Sequence, residues 1–179
     1  HEMVLKVKGK VMPNRCLQTV SRLYSFGIQL GLAKRNPAAS LRLPSKEKPR
    51  SRVLSDPELC AVYRAASETK SLFRFAIHLW MLTGMRSSEL LSLEWKHVVT
   101  TEIDGEAVPT LRIPARLTKQ ARDHFVILST QAQRVLEALR QQSSDSRWLF
   151  PSHFTSSHLR SPLGYVTPLR EKSGVDSWS

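Results

Sequence analysis

The stretch from residue 71 to residue 82 constrains the fold of this chain most, because nearly all of its side chains are apolar. Within it, only Arg74 and His78 form a narrow polar stripe. A helix that is apolar on almost every side is buried among other elements of a core. The sequence therefore predicts a buried helix here, and the turn signal Thr83-Gly84 predicts where it ends.

Downstream of this helix, the apolar pattern changes from a helical period to the alternation of strands. The predicted elements are strands at 99–103, 111–113 and 125–128, with the hairpin turn signal Asp104-Gly105 between the first two. Aspartate followed by glycine between alternating segments is a strong hairpin signal. We therefore predict a small three-stranded antiparallel sheet.

Helix signals occur at five other places in the chain. They are a helix capped by Asn14, a capping box at Ser55 and Glu58, a helix after Gly84 through Trp95, a helix capped by Ser129 or Thr130, and a short helix from Thr167-Pro168 to Gly174. Serine, threonine and asparagine begin helices, and glycine ends them. Together with the sheet, these helices predict a mainly α fold of the α+β class.

Proline and basic residues mark a boundary in the first third of the chain. Residues 44–52 combine two prolines with mostly basic side chains, which is typical of an extended linker. One helix before a linker cannot bury its own apolar stripe. We therefore expect residues 1–43 to be the tail of a domain whose beginning is absent, and residues 53–179 to belong to a second domain.

The charge of the chain is strongly basic and unevenly placed. The sequence holds 27 Lys and Arg against 15 Asp and Glu, a net charge of +12. Residues 1–52 contain 12 of these bases and two acids, so most of the excess lies there. Such an excess is typical of a protein that binds a polyanion, most often nucleic acid, although a basic protein without a dedicated partner is the alternative.

Several other classes of protein are disfavoured by the sequence. No apolar run reaches the length of about 18–20 residues that a membrane span needs, and the start of the chain lacks the pattern of a signal peptide. Cys16 and Cys60 suggest neither a disulfide framework nor a metal knuckle, and His153 and His158 lack metal-site spacing. We expect no membrane partner, no metal and a cytoplasmic location.

The segment TGMRSSELLSL contains the first candidate for chemistry. Arg86 follows a glycine turn and precedes a new helix, so it sits where an anion is favoured. A guanidinium is always charged and binds two phosphate oxygens at once, so Arg86 is suited to hold a phosphate. Glu89, one turn later, would either orient this guanidinium or favour the first turn of the helix. A surface arginine at a helix start is the alternative.

The loop between the second and third strands contains the second candidate. Lys119 lies there between Arg116 and Arg122. A lysine can give up a proton whereas an arginine effectively cannot, so Lys119 is suited to protonate a departing oxygen. A solvated lysine on a turn is the alternative.

These segments, in this order, resemble the tyrosine recombinases of the phage integrase family. TGMRSSELLSLEW, the hairpin TK and WLFPS look like parts of that family's catalytic domain, and RVLSDPEL looks like its entry. NRCLQTVSRLYSFGIQLGLAKRNPA looks like the final helix of its core-binding domain. The resemblance covers nearly the whole chain and suggests an integrase of a prophage or mobile element.

The resemblance implies DNA strand transfer without metal, nucleotide or other cofactor. In the family, a tyrosine attacks a scissile DNA phosphate and forms a 3′-phosphotyrosyl link, while arginines stabilise the charged transition state. Arg86 matches the first of these arginines, Glu89 the acid that supports it, and Lys119 the lysine that protonates the leaving oxygen. Family members act as tetramers on DNA, whereas we expect this chain alone to be monomeric.

Duplex DNA is accordingly the expected partner, mainly through its backbone phosphates. The expected DNA contacts are Lys46, Lys48, Arg50, Arg52, Arg116, Arg122 and His124. In a cell, a protein of this kind would associate with the bacterial nucleoid.

The sequence also departs from the family pattern. The family continues with a His-x-x-Arg motif and the nucleophilic tyrosine, but neither is identified here, and Tyr24, Tyr63 and Tyr165 all precede the point where the motif is expected. The sequence stops about where the motif should begin, so we expect a truncated chain that cannot cleave DNA. A non-catalytic DNA-binding regulator is the alternative, and an RNA-binding protein is a weaker one because the strands offer only Phe125 for stacking.

Overall fold

The computed structural model describes residues 7, 9, 11–47, 51–143, 145–161 and 163–176. Contacts within the chain divide it into two compact units, residues 1–51 and residues 52–179. Two of the expected DNA contacts, Lys48 and Arg50, lie outside the described residues.

The first unit is built on helix α1, Met12–Gln29. Its small buried core consists of Leu17 from the helix and Ala38 from the segment that follows. Between them the chain turns at Gly31, which has a φ of 73° and follows the last turn of the helix. Glycine adopts this backbone conformation without a steric penalty, so it commonly follows the last turn of a helix.

The prediction that Asn14 caps α1 is wrong. The helix begins at Met12, and Asn14 lies fully buried inside the first turn. Its side-chain amide donates to the Ser45 carbonyl at 2.8 Å and to the Glu47 carboxylate at 2.9 Å. A buried amide must satisfy its hydrogen bonds, and here the partners come from the distant segment around Ser45.

The second unit contains most of the secondary structure. Its elements are α2 (Asp56–Ser67), α3 (Phe73–Thr83), α4 (Ser87–Leu91), β1 (Val98–Ile103), β2 (Glu106–Ile113), β3 (His124–Ile127), α5 (Thr130–Ser143) and α6 (Leu163–Ser173). This arrangement confirms the predicted mainly helical fold with a three-stranded antiparallel sheet. No helix in the described part of the chain has the length and apolar character to cross a membrane.

The buried helix predicted from the apolar stretch is α3. It supplies Phe73, Phe75 and Leu79 to a single core that also includes residues of α2, α4 and α5. His78 is buried: its ring stacks on Tyr63 with centroids 4.2 Å apart, and Nε2 lies 3.2 Å from a serine hydroxyl of α2. Burial lowers the pKa of His78, which keeps the ring neutral.

Helix α2 begins with the predicted capping box. The Ser55 amide donates to the Glu58 carboxylate at 2.9 Å, and Arg52 forms an ion pair with the same carboxylate at 2.7 Å. These contacts, the Ser55 backbone first, lower the pKa of Glu58 to about 2. The carboxylate is therefore ionised throughout the neutral range and holds the first turn of α2 in place.

The sheet has the order β1-β2-β3 with both pairs antiparallel. Asp104 and Gly105 form the tight turn between β1 and β2 and have φ values of 51° and 82°. Two consecutive positive φ values are what a two-residue hairpin of this hand requires, so the predicted turn is confirmed. On β2, Leu111 and Ile113 are fully buried against the helical core.

Two predicted helix boundaries are wrong. Helix α4 ends at Leu91 instead of running through Trp95, because Leu93 pairs with Leu149 through a backbone hydrogen bond of 3.0 Å. Helix α6 begins at Leu163 and passes through Pro168 instead of starting there. It extends further because Tyr165 packs on the core and stacks on an α3 phenylalanine at 4.6 Å. In both places tertiary packing overrides the local signal.

The segment Trp148–Ser152 crosses the domain as a buried strap. Leu149 and Phe150 are completely or almost completely buried, and the Phe150 carbonyl accepts the amide of Leu159 at 2.8 Å. Isolated bridges pair Trp148 with Glu94 and Pro151 with a histidine of the same loop. The strap therefore ties the region after α4 to the loop that leads to α6.

Candidate functional site

The turn between α3 and α4 positions Arg86. Gly84 has a φ of 63°, and its amide donates to the Trp80 carbonyl at 2.9 Å, which ends α3 in the left-handed conformation. Arg86 then occupies the N-cap of α4 with an extended backbone. Because α4 has only five residues, its dipole is small, and attraction for an anion must come mainly from the guanidinium.

The Arg86 guanidinium is oriented by a buried acid. Its Nη1 atom donates to Glu89 Oε1 at 2.9 Å, and the Arg86 backbone amide lies 3.4 Å from the other carboxylate oxygen. The Glu89 side chain is only 6% exposed, whereas that of Arg86 is 65% exposed. Glu89 thus binds one edge of the guanidinium from its buried side and leaves the remaining N–H donors of Arg86 open to solvent. The structure contains contacts for both roles predicted for Glu89: one carboxylate oxygen accepts from the Arg86 guanidinium, and the other faces the Arg86 amide at the first turn of α4.

Arg86 and Glu89 line an open cavity of about 320 Å³. Thr83 to Met85 form another part of its wall, and His124 and Val126 of β3 complete the lining. The structure therefore brings three predicted site residues together: Arg86, Glu89 and His124. A guanidinium and an imidazole that share an open polar cavity can both donate hydrogen bonds to an anion such as a phosphate.

Lys119 is exposed on the turn between β2 and β3 and is not among the described residues that line this cavity. The turn has its own internal bonds. The Thr118 hydroxyl donates to the Arg122 carbonyl at 2.8 Å and lies 3.2 Å from the Arg122 amide. These bonds fix the turn while leaving the side chains of Lys119 and Arg122 in solvent, so their predicted roles stay predictions.

Asp123 joins the two ends of the loop between β2 and β3, and this role was not predicted from the sequence. Its carboxylate accepts the Ala115 amide at 2.8 Å and pairs with Arg112 at 2.7 Å. The Ala115 amide, followed by Arg112, lowers the pKa of Asp123, so the carboxylate is charged at neutral pH. An aspartate next to a predicted strand start was visible in the sequence, but its partners eight and eleven residues earlier were not.

Two other predicted DNA contacts have intramolecular partners. Arg52 pairs with Glu58, and its Nε donates to the Asp176 carbonyl at 3.1 Å. Arg116 lies 3.4 Å from the Glu94 carboxylate, a buried acid that also pairs with Lys96 at 2.9 Å. Lys46 of the first unit is exposed.

The three tyrosines lie elsewhere. Tyr63 stacks on His78, Tyr165 stacks on Phe73, and Tyr24 is on the first unit. None of them is among the described residues that line the Arg86 cavity. Within the described ranges, no group of three or more His, Cys, Asp or Glu side chains could hold a metal ion.

Residues 52–176 match the model of the phage integrase family. The chain belongs to this family. The resemblance identified from the Arg86, TK and WLFPS segments is therefore confirmed, and the match spans the second structural unit almost completely.

Individual relatives in the family are similar at a moderate level. Prophage integrase IntZ of Escherichia coli K12 is 28% identical over 157 residues, which are 84% of this chain and 38% of IntZ. Tyrosine recombinase XerD of Rhizobium meliloti is 30% identical over 159 residues, which are 81% of this chain and 48% of XerD. The chain spans less than half the length of either relative.

Solved structures share the integrase fold with this chain. A lambda integrase tetramer bound to a Holliday junction matches with a TM-score of 0.69 at 21% identity, over 94% of this chain and 49% of that one. The XerA recombinase matches with a TM-score of 0.57 at 20% identity, over 98% of this chain and 59% of that one. At these identities the likeness establishes the fold of this integrase-family chain and no residue roles.

Proposed function

We propose that this chain binds duplex DNA and belongs to a site-specific tyrosine recombinase that cuts and rejoins DNA strands through a 3′-phosphotyrosyl link. The observation that carries the proposal is the Arg86 guanidinium, which is held by buried Glu89 at the edge of an open cavity shared with His124. The similar proteins support it, because they include an integrase bound to a Holliday junction and a tyrosine recombinase.

In this proposal, the Arg86 cavity receives a backbone phosphate. The guanidinium binds the non-bridging oxygens and stabilises the charge that develops during transfer, and Glu89 keeps the guanidinium in position. Lys119 protonates the departing oxygen, for which its loop must bring it toward the phosphate. Neither a metal ion nor another cofactor takes part.

The remaining basic residues hold the duplex. Residues 1–43 act as part of a core-binding domain, residues 44–52 as a basic linker, and residues 53–179 as the N-terminal part of the catalytic domain. The proposed backbone contacts are Lys46, Lys48, Arg50, Arg52, Arg116, Arg122 and His124. The whole protein works as a tetramer on DNA at the nucleoid, whereas this chain alone is a monomer. A lambda integrase of the same fold is a tetramer on a Holliday junction, which supports the tetramer.

We further propose that these 179 residues alone bind DNA without cleaving it. The reason is geometric: a nucleophilic tyrosine must reach the phosphate held by Arg86, but Tyr63 and Tyr165 stack on aromatic rings outside that cavity. A non-catalytic DNA-binding module would share this behaviour.

A suicide-substrate assay tests this proposal. The chain is incubated with a nicked duplex that traps any covalent intermediate, and the products are separated on native and denaturing gels. We expect a shifted band on the native gel and no protein–DNA adduct on the denaturing gel. Any covalent adduct that forms with the unchanged chain would contradict the proposed inactivity, and its loss in Tyr165→Phe would identify that tyrosine as the nucleophile. Absence of the native shift would contradict DNA binding.

A further inference from the structure

A second group of basic side chains lies around Glu94, outside the Arg86 cavity. Glu94 is the residue before the short 3₁₀ turn Trp95–His97, and its side chain is 9% exposed. One carboxylate oxygen is 2.9 Å from Lys96 Nζ, and the other is 3.4 Å from Arg116 Nη2. The contact with Lys96, followed by that with Arg116, lowers the pKa of Glu94, so the buried acid is ionised at neutral pH.

A third cation, Arg147, stands beside the same acid. Its carbonyl accepts the Trp95 amide at 3.0 Å, and its charge acts on Glu94 through space. The Arg147 guanidinium is stacked over the Trp148 ring at 4.5 Å from the centroid, and Trp148 in turn meets His158 edge to face. A guanidinium over the face of an indole is attracted by the ring, which favours this position of Arg147.

The balance of charge around Glu94 favours an anionic partner. One buried carboxylate faces Lys96, Arg116 and Arg147, so two positive charges remain uncompensated by it. The side chains of Lys96 and Arg116 are 66% and 55% exposed, and Arg147 is also exposed. Each further cation adds less stability than the first, because it is attracted by the carboxylate but repelled by the cations already there. The cations are thus collected on the surface in fixed positions.

We propose that Lys96, Arg116 and Arg147 form a second phosphate-binding locus for duplex DNA and that Glu94 is the positioning residue that gathers them. The inference rests on the proposed function, since it assumes a duplex on this domain, and it adds Lys96, Arg147 and Glu94 to the interface. Holding two long side chains in place before binding removes part of the entropy cost that a phosphate contact otherwise carries.

This role of Glu94 makes an unusual prediction. Glu94→Gln removes one negative charge and so raises the net charge of the chain by one, which by itself tightens binding to a polyanion. If Glu94 gathers the cations, however, its loss makes the side chains of Lys96 and Arg116 flexible. The entropy cost of ordering these side chains on DNA is then larger than the electrostatic gain from the change in net charge. We expect Glu94→Gln to weaken duplex binding by roughly two- to tenfold. The charge-matched control Glu102→Gln, at an exposed position on β1, should leave binding unchanged or slightly tighter.

Single substitutions of the cations test the locus while Glu94 itself is retained. The dissociation constant for a fluorescent duplex is measured over a range of salt for the whole chain, Lys96→Gln, Arg147→Gln and the exposed control Arg134→Gln of α5. Each lost phosphate contact should lower the salt slope by about 0.9. We expect this decrease for Lys96→Gln and Arg147→Gln and a smaller one for Arg134→Gln.

The possible outcomes distinguish a failure of the second phosphate-binding locus from a failure of the proposed DNA-binding function. Equal effects of Lys96→Gln, Arg147→Gln and the Arg134 control would overturn the locus, because they would indicate general electrostatics. Tighter binding by Glu94→Gln, equal to that of Glu102→Gln, would overturn the positioning role. An unchanged chain that binds no duplex at all would overturn the proposed function and the locus together. Melting curves of each variant confirm that it is folded.

Discussion

Replacing Phe150 by alanine is expected to lower the free energy of unfolding by about 3–5 kcal/mol, which is the usual cost of removing a buried phenyl ring. The Phe150 side chain is 2% exposed, and it belongs to the same core as α3, α5 and β2. Its removal leaves a cavity beneath the strap Trp148–Ser152, whose backbone is fixed on both sides. Because these backbone contacts hold the strap in place, it cannot move into the cavity, which therefore remains largely unfilled.

The same loop offers a matched control. Phe154 is 92% exposed, so Phe154→Ala removes an identical group that buries almost nothing. We expect this control to change stability by about 0.5 kcal/mol or less. Urea denaturation followed by tryptophan fluorescence measures both variants. A loss below about 1 kcal/mol for Phe150→Ala would contradict the assignment of this residue to the core.

Replacing Arg86 by alanine is expected to weaken duplex binding by about 1–3 kcal/mol, which is roughly a 5- to 150-fold increase in the dissociation constant. The substitution removes a charge-assisted contact to phosphate. Because the Arg86 side chain is 65% exposed, it contributes little packing, and the fold should remain intact. Fluorescence anisotropy with a short duplex measures the affinity, and thermal melting measures the stability.

Two controls isolate the contribution of Arg86 to binding. Arg134→Ala removes an equal charge from an exposed position of α5 and should weaken binding much less. Arg86→Lys keeps the charge but loses the planar guanidinium, which can contact Glu89 and a phosphate at the same time. The duplex affinity of this variant should therefore be intermediate. A large fall in melting temperature for Arg86→Ala without a change in affinity would identify the residue as structural.

The parts of the fold that were predictable depend on local patterns. Helix α3 is apolar except for a narrow polar stripe, and the turn Asp104-Gly105 needs two positive φ values that these residues adopt readily. The Ser55 capping box likewise involves only neighbours in sequence. Each of these signals is contained within a few residues, so the sequence alone suffices to identify it.

The errors arose where distant residues decide the local structure. Asn14 is a good helix cap in isolation, but its amide is instead satisfied by Ser45, 31 residues later. Helix α4 ends early because Leu93 pairs with Leu149 across the domain. No local preference encodes these contacts, because their energy depends on burial in the folded state.

In the candidate site too, contacts between neighbours in sequence were predictable, and contacts between distant residues were not. Arg86 and Glu89 are three residues apart and their contact was foreseeable, as one of two alternatives. His124 joins their cavity only because β3 folds back along the sheet. Glu94 and Arg116 are 22 residues apart, and nothing in the segment around Glu94 indicates that the acid is buried between cations.

The central claim is that this chain binds duplex DNA through its phosphates, and the salt dependence of that binding tests it most directly. The dissociation constant for a fluorescent duplex is measured between about 50 and 200 mM salt, where each phosphate contact contributes about 0.9 to the slope of the logarithmic plot. With several such contacts, we predict that the affinity falls by tenfold or more over this range and that Arg86→Ala has a shallower slope. Absence of binding, or an affinity that does not change with salt, would contradict the claim.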